Sequence, residues 1–188
     1  LKVLAHDLDS AEMRQRFLRE GRLAAGVSHP NSLYVFGTEE IDGRPVITME
    51  IAAAGTLKDR LAEHGPLPVT EVADAMLDVI RGLEALSISG VLHRDIKPSN
   101  VIVTDDGIPK LLDFGIARLM RAEDDPGDGN TTLFGAPAMT PDYASPEQLL
   151  DDAVTTVSDV YSLGVLAYQV LAGVRPYQVE RSSQGRMA

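Results

Sequence analysis

The stretch Val91–Asn100, VLHRDIKPSN, runs directly into Val101–Gly115, VIVTDDGIPKLLDFG. Together they hold Asp95, Lys97 and Asn100 within one short turn and a further acid, Asp113, beyond two apolar runs. Pairing those runs antiparallel sets Val101 against Leu112, Ile102 against Leu111, Val103 against Lys110 and Thr104 against Pro109, around an Asp105–Ile108 loop that contains Asp-Gly. In this register Asn100 and Asp113 meet at the open end, with Cα atoms roughly 5 Å apart. An amide oxygen beside a carboxylate is half of a hard-cation site, and magnesium takes few protein ligands, completing its shell with water and phosphate oxygens. Asp95 reaches the same spot and can accept a hydrogen bond from a hydroxyl, while Lys97 offers a point charge to a phosphate. The plainer alternative is a surface hairpin with solvated acids at its base. Four such residues at this spacing, followed by Phe114-Gly115, favour the site.

Composition bounds the reading. The chain has 188 residues, 44% hydrophobic and 24% charged, which is the ordinary globular class. It has no cysteine, which excludes disulfides and thiolate metal sites and fits a reducing compartment. Seventeen basic residues stand against 28 acidic ones, a net charge of −11 that argues against nucleic acid or an anionic membrane as partner. A phosphorylated ligand therefore needs a local positive spot and a metal ion. Val160–Ala172 is the most apolar segment, but it is interrupted by Ser162 and Gln169 and falls short of the roughly 20 residues that span a bilayer. It reads as a buried core helix. No charged-then-apolar leader follows Leu1, so a cytoplasmic location without a membrane segment is expected.

Outward from the hairpin, LKVL reads as the end of a strand, and DSAEMRQRFLREGRLAAG as a helix with Asp9 as N-cap and Glu12 three residues on. LYVFG and PVITME read as strands around the turn residues of TEEIDGR, and IAAAG as a hinge. TLKDRLAEHG is a short helix capped by Thr56 and stopped by Gly65. From Thr70 to Ser89, Val72, Ala73, Met76, Val79, Ile80, Leu83 and Leu86 recur at helical spacing until Gly90. RAEDDPGDGNTT, Arg121–Thr132, reads as a mobile loop, and a last helix runs from about Ser158 to Ala172 and stops at Gly173, with Val160, Leu163, Val165, Leu166 and Val170 as its buried set. Asp159 in its first turn is favoured by the helix dipole whatever else it does.

His93-Arg94-Asp95 through Asn100, Asp113-Phe114-Gly115 and Ser145-Pro146-Glu147 stand in the order of the protein-kinase signature motifs. The sequence resembles that family, and HRDIKPSN with TPDYASPEQL resembles its bacterial serine/threonine branch. The resemblance implies an α+β, two-lobe fold, with residues 1–50 a partial N-lobe rich in strands and 51–188 the hinge and a partial, mostly helical C-lobe. It implies ATP and Mg2+ as cofactors, Asp95 as catalytic base, Lys97 on the γ-phosphate, and Asn100 and Asp113 as magnesium ligands. Lys2 resembles the strand lysine of the α- and β-phosphates. Its partner would be Glu20, which shares a helix face with Met13, Phe17 and Ala24, an apolar stripe in which a carboxylate needs a cation. Otherwise Lys2 is a solvated strand end and Glu20 skirts the stripe. Glu50 and Ala52 would offer backbone groups to adenine behind a gatekeeper at Met49, Thr140 would contact the catalytic loop, and Asp159 would accept from the catalytic-loop backbone.

The resemblance also implies protein substrates with serine or threonine acceptors. Self-association for autophosphorylation is expected, at Thr131 or Thr132, whose phosphate would pair with Arg94. No glycine-rich loop precedes Lys2 and the family's final helices do not follow Tyr177, so the chain is expected to be incomplete at both ends, with Glu147 lacking its usual arginine. The alternatives are a pseudokinase scaffold and a small-molecule kinase, and Lys97 argues against the latter.

Overall fold

A computed structural model describes residues 2–3, 11–41, 44–51, 55–112, 141–150 and 152–177. The strand-rich part comes first: β1 (Lys2–Val3), α1 (Ala11–Ala25), β2 (Val35–Ile41) and β3 (Arg44–Met49). They form one antiparallel sheet in the order β1-β3-β2, with Lys2 opposite Ile47 and Thr38 opposite Ile47 on the other side. Phe17 and Ala24 of α1 are buried, as are Val35, Val46 and Ile47, so these two members of the expected stripe lie in the core with the sheet. β2 is longer than LYVFG: it stays paired through Ile41, because a solvated edge strand tolerates Glu39 and Glu40.

The helical part follows, with α2 (Leu57–His64) and α3 (Val69–Ile88). The N-terminus of α2 is a reciprocal capping box: Asp59 N–H donates to the Thr56 hydroxyl at 3.3 Å, and Thr56 N–H donates to Asp59 Oδ2 at 2.8 Å. Gly65, at φ 71°, stops the helix as expected. α3 buries Val72, Ala75, Met76, Val79, Gly82 and Leu86. Ala73 and Ile80, expected in that stripe, face solvent instead. The buried face is rotated toward Gly82 because backbone packs there: a Cβ on Gly82 would lie 2.6 Å from the Asn31 carbonyl oxygen.

A 3-10 turn (Pro98–Asn100) leads into β4 (Val101–Val103), which pairs with β5 (Pro109–Leu111). The register differs by one residue from the expected one: Val101 faces Leu111, Ile102 faces Lys110 and Val103 faces Pro109. Two physical causes act together. Gly107 takes a φ of 81°, so Asp105–Gly107 closes as a three-residue loop, with Thr104 N–H donating to the Ile108 carbonyl at 3.0 Å. The two fully buried residues, Val101 and Leu111, are also brought onto one face. Leu112, not Asp113, therefore pairs with Asn100, its N–H donating to the Asn100 carbonyl at 2.8 Å.

A second 3-10 turn (Pro141–Tyr143), α4 (Pro146–Leu149) and α5 (Thr156–Ala172) complete the described residues. α5 ends at Gly173, which adopts φ 73°. Its buried face carries Ser158, Asp159, Ser162, Val165, Leu166 and Val170, while Val160 is 65% exposed, contrary to expectation. Hydrophobicity misplaced this face because three of its buried residues are polar and bonded to other segments: Ser158 to Glu147, Asp159 to the His93 and Arg94 N–H groups, and Ser162 to the Tyr143 carbonyl. No helix among the described residues is long and apolar enough to cross a membrane.

The two parts are joined by more than the hinge. Leu33 N–H donates to the Leu111 carbonyl at 3.0 Å, Leu111 N–H to the Asn31 carbonyl at 2.9 Å, and Asn31 Nδ2 to the Pro109 carbonyl at 3.0 Å. Residues 31–33 thus form a strand-like extension of the hairpin, an arrangement that periodicity over so short a run does not signal.

Candidate active site

The chain leaves α3 through Gly90, at φ 74°, and descends into Val91–Lys97. Val91, His93 and Ile96 are buried and hold the loop from beneath, which leaves Asp95 and Lys97 at the partly open surface. Pro98 opens the 3-10 turn with its φ already set, and Asn100 N–H closes it on the Lys97 carbonyl at 2.9 Å. Lys97 Nζ then lies 2.7 Å from Asp95 Oδ2. Asn100 Nδ2 donates to that same oxygen at 2.8 Å and to the Asp95 main-chain oxygen at 2.7 Å. Three of the four residues singled out in the sequence are brought together in one turn. With Nδ2 committed to Asp95, the side-chain oxygen of Asn100 is its remaining polar atom, a hard donor of the kind magnesium takes.

The backbone of this turn is held under strain. Arg94 adopts φ 64°, the left-handed region that a side chain with a Cβ disfavours. Asp159 reaches across from α5: its Oδ2 accepts the His93 N–H at 2.9 Å and its Oδ1 accepts the Arg94 N–H at 2.8 Å. On the other side, Gln148 Nε2 donates to the Arg94 carbonyl at 3.0 Å. Asp95 N–H donates to His93 Nδ1 at 3.4 Å. Asp159 therefore accepts from the backbone of the His93–Arg94 segment, the contact that was expected of it. Gln148 drew no expectation, because an amide in a polar SPEQ segment carries no periodicity or charge to single it out.

The hinge side is also tied to the hairpin. Glu50 N–H pairs with the Tyr34 carbonyl at 2.9 Å, which commits one of its two backbone groups to the Tyr34 segment. The Glu50 carboxylate accepts from Lys110 Nζ at 2.7 Å and from the Tyr34 N–H at 2.9 Å. Burial works to raise this carboxyl, but the Lys110 ammonium and the Tyr34 N–H outweigh it and hold it below the usual carboxylate range. Met49 precedes it, half-buried, at the end of β3. Lys110 is a further residue that sequence reading missed, since a lysine in a short strand looks like a solvated face.

Glu147 is not without a partner: the Ser158 hydroxyl donates to its carboxylate and holds it below the usual range. Lys2 lies in β1 and Glu20 in α1, and their side chains fall outside the description. Ala52, Asp113, Thr131, Thr132 and Thr140 lie outside the described residues. Among the described residues no group of three or more His, Asp or Glu could hold a metal ion. A groove of about 410 Å³ lies at the loop end of the hairpin, lined by Leu57, Leu67, Asp74, Val103 and Pro109, and it includes none of Asp95, Lys97 or Asn100.

The profile of the protein kinase domain matches residues 1–187. The chain belongs to the protein kinase domain family. Its fold is accordingly a partial two-lobe kinase fold, with a small antiparallel sheet in the N-lobe and a mostly helical remainder. This kinase domain is 38% identical over 181 residues to the serine/threonine-protein kinase pkn2 of Myxococcus xanthus, covering 94% of the chain and 21% of that protein. It is 37% identical over 178 residues to the serine/threonine-protein kinase PknL of Mycobacterium bovis, covering 94% and 43%. Against the serine/threonine-protein kinase PknB of Mycobacterium leprae the identity is 35% over 182 residues, covering 94% and 28%. The chain spans less than half the length of each of these relatives.

Proposed function

We propose that this kinase domain transfers the γ-phosphate of ATP to serine or threonine hydroxyls of protein substrates. The observation that carries the reading is the single turn in which the Asp95 carboxylate meets Lys97 and Asn100. A carboxylate so fixed can accept the hydrogen bond of an incoming hydroxyl and orient its oxygen for in-line attack. The Lys97 ammonium, 2.7 Å away, supplies positive charge where the transferring group gathers negative charge. Asn100 and Asp113 are the residues that would hold magnesium, and the oxygen left on Asn100 once its Nδ2 is bound to Asp95 fits that donor set. Bound magnesium would neutralise phosphate oxygens. On the nucleotide side, Lys2 paired with Glu20 would hold the α- and β-phosphates, and Met49, Glu50 and Ala52 would line the adenine edge. The names of the relatives support serine or threonine as acceptor. The absence of cysteine and the use of ATP support a cytoplasmic location for the domain. Autophosphorylation at Thr131 or Thr132 through self-association belongs to the same reading.

The test is radiolabel transfer from ATP by the full-length protein. Asp95→Asn should lower kcat by about 10²- to 10⁴-fold, the range for loss of a positioned acid–base group, while leaving ATP binding in place. Wild-type rates in the Asp95→Asn protein would remove the reading. Nucleotide binding with no transfer by the wild type would make the domain a scaffold.

A further inference from the structure

Gln148 is only 3% exposed, and both ends of its amide are engaged. Its Oε1 accepts the Ser145 N–H at 3.0 Å, and its Nε2 donates to the Arg94 carbonyl at 3.0 Å. Arg94 is the one non-glycine residue with positive φ among the described residues, and it directly precedes Asp95. A side chain in that region relaxes unless its surroundings hold it. Asp159 fixes the peptide unit before Arg94 through the Arg94 N–H. The unit after it is planar and carries both the Arg94 carbonyl, which Gln148 holds at 3.0 Å, and the Asp95 N–H, which donates to His93 Nδ1 at 3.4 Å, so the Gln148 bond is the shorter of the two that fix the plane. That plane determines the direction in which Asp95 leaves the backbone.

Gln148 itself stands on a fixed base. Tyr143 donates to Gln169 of α5 at 2.5 Å, the Ser162 hydroxyl donates to the Tyr143 carbonyl at 2.8 Å, and Asp142 pairs with Arg175. The segment 141–149 is thereby tied to α5, the helix that supplies Asp159, and to Arg175 just beyond its end. We infer that Gln148 is a positioning residue for phosphotransfer. It holds the Arg94–Asp95 peptide plane by its carbonyl edge, and so couples the placement of the 141–149 segment to the orientation of the Asp95 carboxylate. The inference rests on Asp95 being the base.

The experiment measures kcat and KM for ATP in the full-length protein with Mg2+ and a degenerate serine/threonine peptide mixture, from pH 5.5 to 8.5, always against wild type at the same pH. Gln148→Leu should lower kcat about tenfold, the effect of one buried hydrogen bond, with KM for ATP within about twofold. Gln148→Glu tests the donor with no change of shape. Its carboxyl still accepts from Ser145, but when ionised it opposes the Arg94 carbonyl, and when protonated it donates to it. Burial raises the pKa of such a carboxyl. Its kcat should therefore be about tenfold low at pH 8.5 and climb toward the wild-type value as pH falls. Pairing each rate with wild type at the same pH divides out the pH effects that the two proteins share. Wild-type kcat in both variants, or a depressed Gln148→Glu rate with no return at low pH, would overturn the inference. Full activity in Asp95→Asn would instead remove the base assignment, a separate outcome.

Discussion

Removing the Asp159 carboxylate separates two accounts of that residue by magnitude. In the first turn of α5 an acid gains about 0.3–1 kcal/mol from the helix dipole wherever its side chain points. The structure gives it more to do. Asp159 is 8% exposed, and its two oxygens accept the N–H groups of His93 and Arg94 at 2.9 and 2.8 Å. Hydrogen bonds to a charged acceptor contribute about 1.5–3 kcal/mol each, so Asp159→Ala removes about 3–6 kcal/mol. His93 is fully buried and its N–H loses the charged acceptor, whereas Arg94 is half-buried and water can take over part of its bond. The lower end, about 3 kcal/mol, is therefore expected. With a urea slope of about 2 kcal/mol/M, the midpoint of unfolding should fall by about 1.5 M. Amide hydrogen exchange at His93 and Arg94 should accelerate in the variant, while exchange in the middle of α3 follows only the global change. A loss below about 1 kcal/mol, with both amides still protected, would refute the assignment and leave the dipole as the whole effect.

Glu50→Gln should cost about 1–2 kcal/mol at pH 7, because the ion pair with Lys110 is partly buried at both ends, 29% and 22% exposed. The folded carboxyl lies below its ordinary 4.5, so its contribution is complete above that pH and is lost as pH falls through the depressed value. The difference between wild type and variant in urea unfolding should accordingly close in acid, and a gap that widens there would contradict the pairing. Gly82→Ala gains about 1 kcal/mol of helix propensity in isolation. Here the new Cβ would lie 2.6 Å from the Asn31 carbonyl oxygen and 2.9 Å from Leu111 Cδ1. A net loss of about 1–3 kcal/mol is expected, read as a lower Tm, and an unchanged or higher Tm would show that residues 31–33 are not packed there.

Much of this domain was legible along the chain because its signals are local. The capping box at Thr56, the stops at Gly65, Gly90 and Gly173, and the spacing of Asp95, Lys97 and Asn100 each depend on residues a few positions apart. The motif order carried the family for the same reason, since a catalytic loop must deliver its groups within one turn. What escaped is what depends on contacts between distant segments. The hairpin register was set by a left-handed Gly107 and by which residues another layer buries, and the buried face of α5 was set by Ser158, Asp159 and Ser162 bonding to segments distant in the chain. Gln148 against Arg94 spans 54 residues and Glu50 against Lys110 spans 60. No pattern of hydrophobicity or charge encodes such a pair, because each partner alone resembles an ordinary polar surface residue. Only when the chain closes on itself does the direction of an N–H or a carbonyl become a constraint on another segment. The sequence by itself determined which groups are available for chemistry, and the tertiary structure decided which way each of them is held.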